Sequence, residues 1–264
     1  MSPPGLKGEH RSAQHEGTPV STSALAHMPD QGAPDLLYLL LHGAGATAEQ
    51  MAPLARRLVQ EYPQAAVLCL NAPDAFVVGA PTASDLLVAP ARQWFSDYRI
   101  DDASRAIRVA AAVPPLVASV RSLQQRFGVA WERTALAGFA QGALLALEAV
   151  QAEPRLAGRV LAFAGRHVAA PAHVPADTTV HFMHGMADDV VSYRAAVDSA
   201  RHLMALGGDV TADVLPDIGH ELHPALMDKA IVRLRTFLPK KVWRQAMSEA
   251  PVIPRAASSD ELGD

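Results

Sequence analysis

Short apolar runs alternate along this chain with longer stretches in which apolar residues recur every three or four positions. Runs of the first kind read as strands buried on both faces, and stretches of the second kind as helices with one face on a core. Leu36, Leu37, Tyr38, Leu39, Leu40 and Leu41 make the first strong run. A helix is predicted over 49–61, with Met51, Leu54, Leu58 and Val59 on one face and Pro63 as its stop. Ala66 to Leu70 is the next strand. Residues 73–96 show neither period and carry Pro73, Gly79, Pro81 and Pro90, which predicts a long loop. A long helix capped by Asp101 or Asp102 then runs to Phe127 on Ile107, Val109, Val113, Val117, Val120 and Leu123; Pro114 and Pro115 predict a kink or break in it.

The alternation continues to the end of the domain. Strands are expected at 134–138, 160–163, 178–183 and 210–215, and helices at 141–153, 193–206 and 222–237. A short amphipathic helix at 242–247 would turn Val242, Ala246 and Met247 toward the body or toward a second copy of the chain, which leaves a homodimer open. This order of elements predicts an α/β architecture with a mostly parallel central sheet and helices on both faces.

Composition narrows the class. With 264 residues and half of them hydrophobic, the chain can fill one large core. The expected division is a disordered tail over 1–34, one domain over 35–239, and a short helix with a second disordered tail over 240–264. No run approaches the roughly eighteen continuous apolar residues of a spanning helix, so no membrane insertion is expected. The net charge of −4, with Lys and Arg scattered, offers no basic field for nucleic acid. Cys69 is the only cysteine, which excludes an intrachain disulfide and a thiolate zinc cluster. The N-terminus lacks the apolar core of a secretion signal, so a cytoplasmic location is expected.

Candidate chemistry lies in the turns. Gly138-Phe139-Ala140-Gln141-Gly142-Ala143 sits between a predicted strand and a predicted helix. Its glycines allow a sharp strand-to-helix reversal, the geometry of a nucleophile elbow, although small residues there also serve close packing alone. His42-Gly43-Ala44-Gly45 follows the first strand, where backbone N–H groups of an oxyanion hole would stand. His184-Gly185 with Asp188-Asp189-Val190-Val191, and Gly219-His220, each follow later strands. Nucleophile, acid, histidine is the chain order of one large hydrolase class, and strand C-termini are where open parallel sheets place their sites.

Together with Arg92-Gln93-Trp94-Phe95-Ser96, these motifs resemble the phospholipase/carboxylesterase family of α/β-hydrolases, which includes acyl-protein thioesterases, and most of all its bacterial esterases. The likeness spans 36–239. It implies the α/β-hydrolase fold and hydrolysis of carboxylic esters or thioesters, with a small acyl ester as partner and neither cofactor nor metal. It also implies Ala140 at the nucleophile position, Asp188 as acid, His220 as general base, and the N–H groups of Ala44 and Gln141 as the oxyanion hole. Asp189 competes with Asp188 and could instead cap a turn. Trp94 and Phe95 are either pocket walls or core residues. His42 is expected to hold its turn by hydrogen bonding, Cys69 to be an inert core thiol, and Ser96 to lack the setting of a relocated nucleophile.

Two departures stand out. Many relatives carry an acidic residue where this chain has Ala46. The family serine is here Ala140, which forms no acyl-enzyme; loss of a triad nucleophile lowers the rate by on the order of 10⁶ and leaves roughly 10³ to 10⁴ over water. A complete site with one atom missing is either a working esterase silenced by Ser→Ala or a natural binder of acyl ligands or partners.

Overall fold

The computed structural model describes residues 22–77 and 91–239. In chain order these hold strands β1 Thr22–His27, β2 Leu36–Leu41, β3 Ala65–Leu70, β4 Asp74–Ala75, β5 Arg92–Gln93, β6 Thr134–Phe139, β7 Arg159–Phe163, β8 Thr179–Gly185 and β9 Asp209–Leu215. The helices are α1 Ala52–Glu61, α2 Asp102–Phe127, α3 Gln141–Ala152, α4 Tyr193–Ala205 and α5 Pro224–Thr236. The expected terminal helix at 242–247, most of the N-terminal tail and the middle of the 73–96 loop lie outside the described residues.

Seven strands form one sheet in the order β1-β3-β2-β6-β7-β8-β9. Every neighbouring pair is parallel except β1 with β3. Period-two alternation divides β2 between two cores: Leu37, Leu39 and Leu41 pack with the buried faces of α2, α3 and α4, while Tyr38 and Leu40 pack with those of α1 and α5. That is why the strands read as continuous apolar runs.

Three expectations change. The tail predicted disordered over 1–34 contains β1, which pairs Leu25 with Cys69, Ala26 with Leu68 and His27 with Val67 at the sheet edge. Edge pairing uses backbone groups, so no apolar run is needed to announce it. The tandem prolines do not break α2, a single helix of 26 residues. They remove two N–H donors, and Val109 and Val113 before them and Leu116, Val120 and Leu123 after them anchor both halves in the core. Asp101, not Asp102, caps this helix, in a reciprocal box with Ser104. Ile107, assigned to the inner face, is 72% exposed. By length and composition α2 could cross a membrane, yet here it lies along α3 as a cover of the sheet.

Candidate active site

All six residues of β6 are buried, and the chain then reverses into α3 through Ala140 at φ 49°, ψ −110°. Such a conformation costs a non-glycine residue about 1–3 kcal/mol and persists only when its surroundings impose it. Here the surroundings are visible. The N–H of Ala140 donates to the carbonyl of Phe163 at 2.9 Å, and α3 presses so closely on the end of β2 that a Cβ on Gly142 would stand 2.4 Å from the carbonyl oxygen of Leu41. Packing fixes the elbow whatever side chain sits at its tip.

The same contact brings in the turn after β2. His42 is fully buried, donates from Nδ1 to the carbonyl of Gly43 at 2.6 Å, and accepts at Nε2 from the N–H of Ala72 at 3.1 Å. Burial holds its proton affinity below the usual histidine range, so the ring is a neutral brace. The Gly43 N–H donates to Gln50 Oε1 at 2.7 Å, the Gly45 N–H to the carbonyl of Arg92 at 2.9 Å, and the Arg92 N–H to the carbonyl of Ala46 at 2.8 Å. This backbone bridge pins the loop that carries Ala46. Arg92 adds guanidinium bonds to the carbonyls of Ala72 and Pro73. Ala44, in the middle of this turn, borders the cavity together with Gln141. The N–H of Gln141 belongs to the first turn of α3, where backbone donors have no intrahelical acceptor.

The third contribution comes from β8 and β9. A Cβ on Gly185 would meet the carbonyl oxygen of Ile218 at 2.1 Å, and the N–H groups of Met186 and Ala187 donate to the carbonyls of Leu215 and Ile218. The turns bearing Asp188 and His220 are thereby laced together. His220 Nδ1 stands 2.9 Å from Asp188 Oδ2 and 3.0 Å from Oδ1. Oδ1 also accepts from the N–H groups of Val190 and Val191, and Oδ2 lies 3.1 Å from Nε2 of buried His184, which donates to the carbonyl of Val191. Burial pushes the Asp188 carboxyl up, but the bonds from Val191, His220 and Val190 outweigh it and hold the group below the usual carboxylate range. Asp188 is thus a charged acceptor that orients the ring, with Nδ1 as donor. The His220 ring lies on Phe139, with centroids 4.9 Å apart. Asp189, the competing acid, is exposed.

A cavity of about 620 Å³ joins these turns, with Ala44, Ala140, Gln141 and His220 in its wall. Phe95 borders it, but Trp94 does not: its indole N–H donates to the carbonyl of His42 at 2.8 Å and its ring is buried in the core. An aromatic residue after an irregular loop was free to face either way, and the polar partner of the indole decided it. Sequence reasoning missed the side chain of Gln141, which accepts from the Trp94 N–H at 2.7 Å and donates to the carbonyl of Phe95 at 2.9 Å and to Asp97 Oδ2 at 3.2 Å, clamping the cavity loop to the elbow helix. It also missed Asp97, Arg105 and Arg166, which border the cavity. No motif marks them; only the fold gathers them.

The alternative nucleophiles stand elsewhere. Burial pushes the Cys69 thiol up to about 12, in mid-strand β3. Ser96 Oγ is engaged by the N–H of Tyr98 at 3.2 Å and lies outside the cavity wall. Among the described residues no cluster of three or more His, Cys, Asp or Glu is placed to hold a metal ion.

Comparison with known proteins bears on the fold and the family. The chain is 37% identical over 220 residues to esterase YpfH of Escherichia coli (strain K12), covering 83% of this chain and 90% of that protein. The crystal structure of esterase PE8 superposes with a TM-score of 0.73 at 26% identity, over 84% of this chain and all of PE8. A carboxylesterase from Mesorhizobium loti shares the fold at a TM-score of 0.62 and 18% identity, over 76% of this chain and 89% of that one. Residues 28–238 match the signature of the phospholipase/carboxylesterase family, and the chain belongs to that family.

Proposed function

We propose that this cavity is the site of a carboxylic-ester or thioester hydrolase for small acyl substrates, lacking only the nucleophilic oxygen at position 140. The observation that carries the reading is the strained elbow at Ala140 opening into the same cavity as a histidine held at 2.9 Å by a buried carboxylate. With a hydroxyl at 140, His220 Nε2 takes its proton, the oxygen attacks the acyl carbon, and the N–H groups of Ala44 and Gln141 face the developing oxyanion. The imidazolium then protonates the leaving group, and water, activated by the same ring, releases the acid. With a methyl group at 140 no acyl-enzyme forms, so turnover falls to that of a site which binds and polarises its substrate.

Ala140→Ser tests this directly. It is expected to raise kcat for 4-nitrophenyl acyl esters by on the order of 10⁶, with a burst of nitrophenol stoichiometric with protein. A folded Ser variant with neither burst nor turnover ends the reading. The alanine itself favours a second role, the holding of an acyl ligand without cleaving it; saturable binding of an unreactive acyl ester by the unaltered chain, together with an inert Ser variant, would establish that role in its place.

A further inference from the structure

We propose that Arg105 and Arg166 form an anion subsite in this cavity, so that the preferred substrate is an ester carrying a second, singly charged group, a carboxylate on its acyl or leaving portion. The inference rests on the ester-hydrolase reading and adds the substrate class. The two guanidinium groups come from unconnected elements, the first turn of α2 and the segment after β7, and both border the cavity that holds Ala140 and His220.

Neither is locked into a close ion pair among the described residues. Among the described residues the side-chain hydrogen bond of Arg166 runs from Nη1 to the carbonyl of His167 at 3.0 Å, and no carboxylate lies within ion-pair reach of its guanidinium. Asp102 and Glu148 act on Arg166 only through space, and Glu148 is already taken by His167 Nδ1 at 3.1 Å and by the N–H of Val168 at 2.9 Å. Arg105 has a loose pairing at 3.7 Å with Asp102, whose side chain is 97% exposed, and such a contact contributes little. Burial and the neighbouring charge of Arg105 both depress the proton affinity of half-buried Arg166. Two cations facing one partly dehydrated space repel each other until an anion joins them.

The charge count selects the anion. Asp97, on the same wall and bonded to Gln141 Nε2, lies within electrostatic reach of Arg105, and Asp102 acts on Arg166 through space, so the surplus left for a ligand is small. A carboxylate satisfies that surplus and fits the planar fork of arginine by two parallel hydrogen bonds. A phosphate dianion would oppose Asp97.

The unaltered chain, with Ala140, allows binding to be read without turnover. Isothermal calorimetry with monomethyl glutarate and with methyl butyrate is expected to give at least tenfold tighter binding of the charged ester, weakening as salt rises. Arg166→Gln and Arg105→Gln each erase most of that advantage, and Arg166→Lys retains part of it, which separates loss of charge from loss of folding. A butyryl ester of glycerol phosphate gains less than the glutarate ester. In the Ala140→Ser background, the ratio of kcat/KM for 4-nitrophenyl hydrogen glutarate over 4-nitrophenyl butyrate falls at least tenfold on Arg166→Gln. Equal affinity for charged and neutral esters, indifference to both arginine substitutions, or tighter binding of the phosphate ester overturns the subsite even if the Ser variant hydrolyses esters well. Retained Arg166-dependent binding with an inert Ser variant upholds the subsite and sinks the hydrolase reading instead.

Discussion

The elbow around Ala140 and the pair formed by Asp188 and His220 are built on opposite principles. The elbow is a packing structure: helix α3 abuts the end of β2 at a distance no Cβ tolerates, and a backbone bond from Ala140 to Phe163 completes it. Neither of these contacts is made by the side chain at the tip. The acid–base pair is a hydrogen-bond structure, in which one buried carboxylate gathers His220, His184 and two backbone N–H groups. On the proposed reading, the difference explains how a nucleophile can be absent while its geometry survives, whereas the pair would not outlive the loss of Asp188.

The largest effect that breaks this contrast lies in the pair. In the Ala140→Ser background, Asp188→Asn is expected to lower kcat by on the order of 10⁴, because the amide presents an N–H to Nδ1 and favours the wrong tautomer. Steady-state ester hydrolysis measures it, and a loss under tenfold would mean that His220 needs no carboxylate.

Strand β8, which leads into the turn of Asp188, should also make the fold acid-sensitive. Burial lowers His181 of β8 to about 3, aided by Arg159 and Arg233. The folded pKa lies below the unfolded value, so the unfolded chain binds the proton first and stability present above about 6.5 is lost as pH falls, at roughly 1.4 kcal/mol for each unit down toward 3. Urea unfolding at pH 7, 6, 5 and 4 reads the slope, and His181→Gln should flatten it by one proton; an unchanged slope refutes the assignment.

Smaller effects probe the elbow. Gly142→Ala forces a methyl group against the carbonyls of Leu41 and His42 and is expected to destabilise by about 1–3 kcal/mol, seen as a lower urea midpoint, while leaving the bonds of His220 to Asp188 in place. Ala140→Gly should act the other way. Glycine accepts φ 49°, ψ −110° without steric penalty, and the relief outweighs its added chain entropy by about 1 kcal/mol, a rise in Tm of roughly 2–4 °C by calorimetry. A fall in Tm would show that Ala140 is not strained.

Much of this molecule was legible along the chain. The parallel strands and their helices followed from apolar runs and periodic faces, because a strand buried on both sides and a helix buried on one leave different spacings. Three turns carrying Ala140, Asp188 and His220 were marked by glycines and by their places after strands, and the structure gathers them at one cavity. Other features left no trace. Strand β1 is held by edge pairing, α2 runs through its prolines because contacts on both sides of them hold it, and Trp94 turns inward to give its N–H to His42.

The sequence by itself determined the class of fold, the order of the three candidate turns and the absence of an oxygen at position 140, since each is written in local pattern or residue identity. Tertiary structure alone decided that Arg105 and Arg166 share a cavity with the elbow, that Gln141 clamps its loop and that a backbone bridge joins Ala46 to Arg92. Those relations join residues distant in sequence, and only the crossing connections of the sheet bring such residues within bonding range.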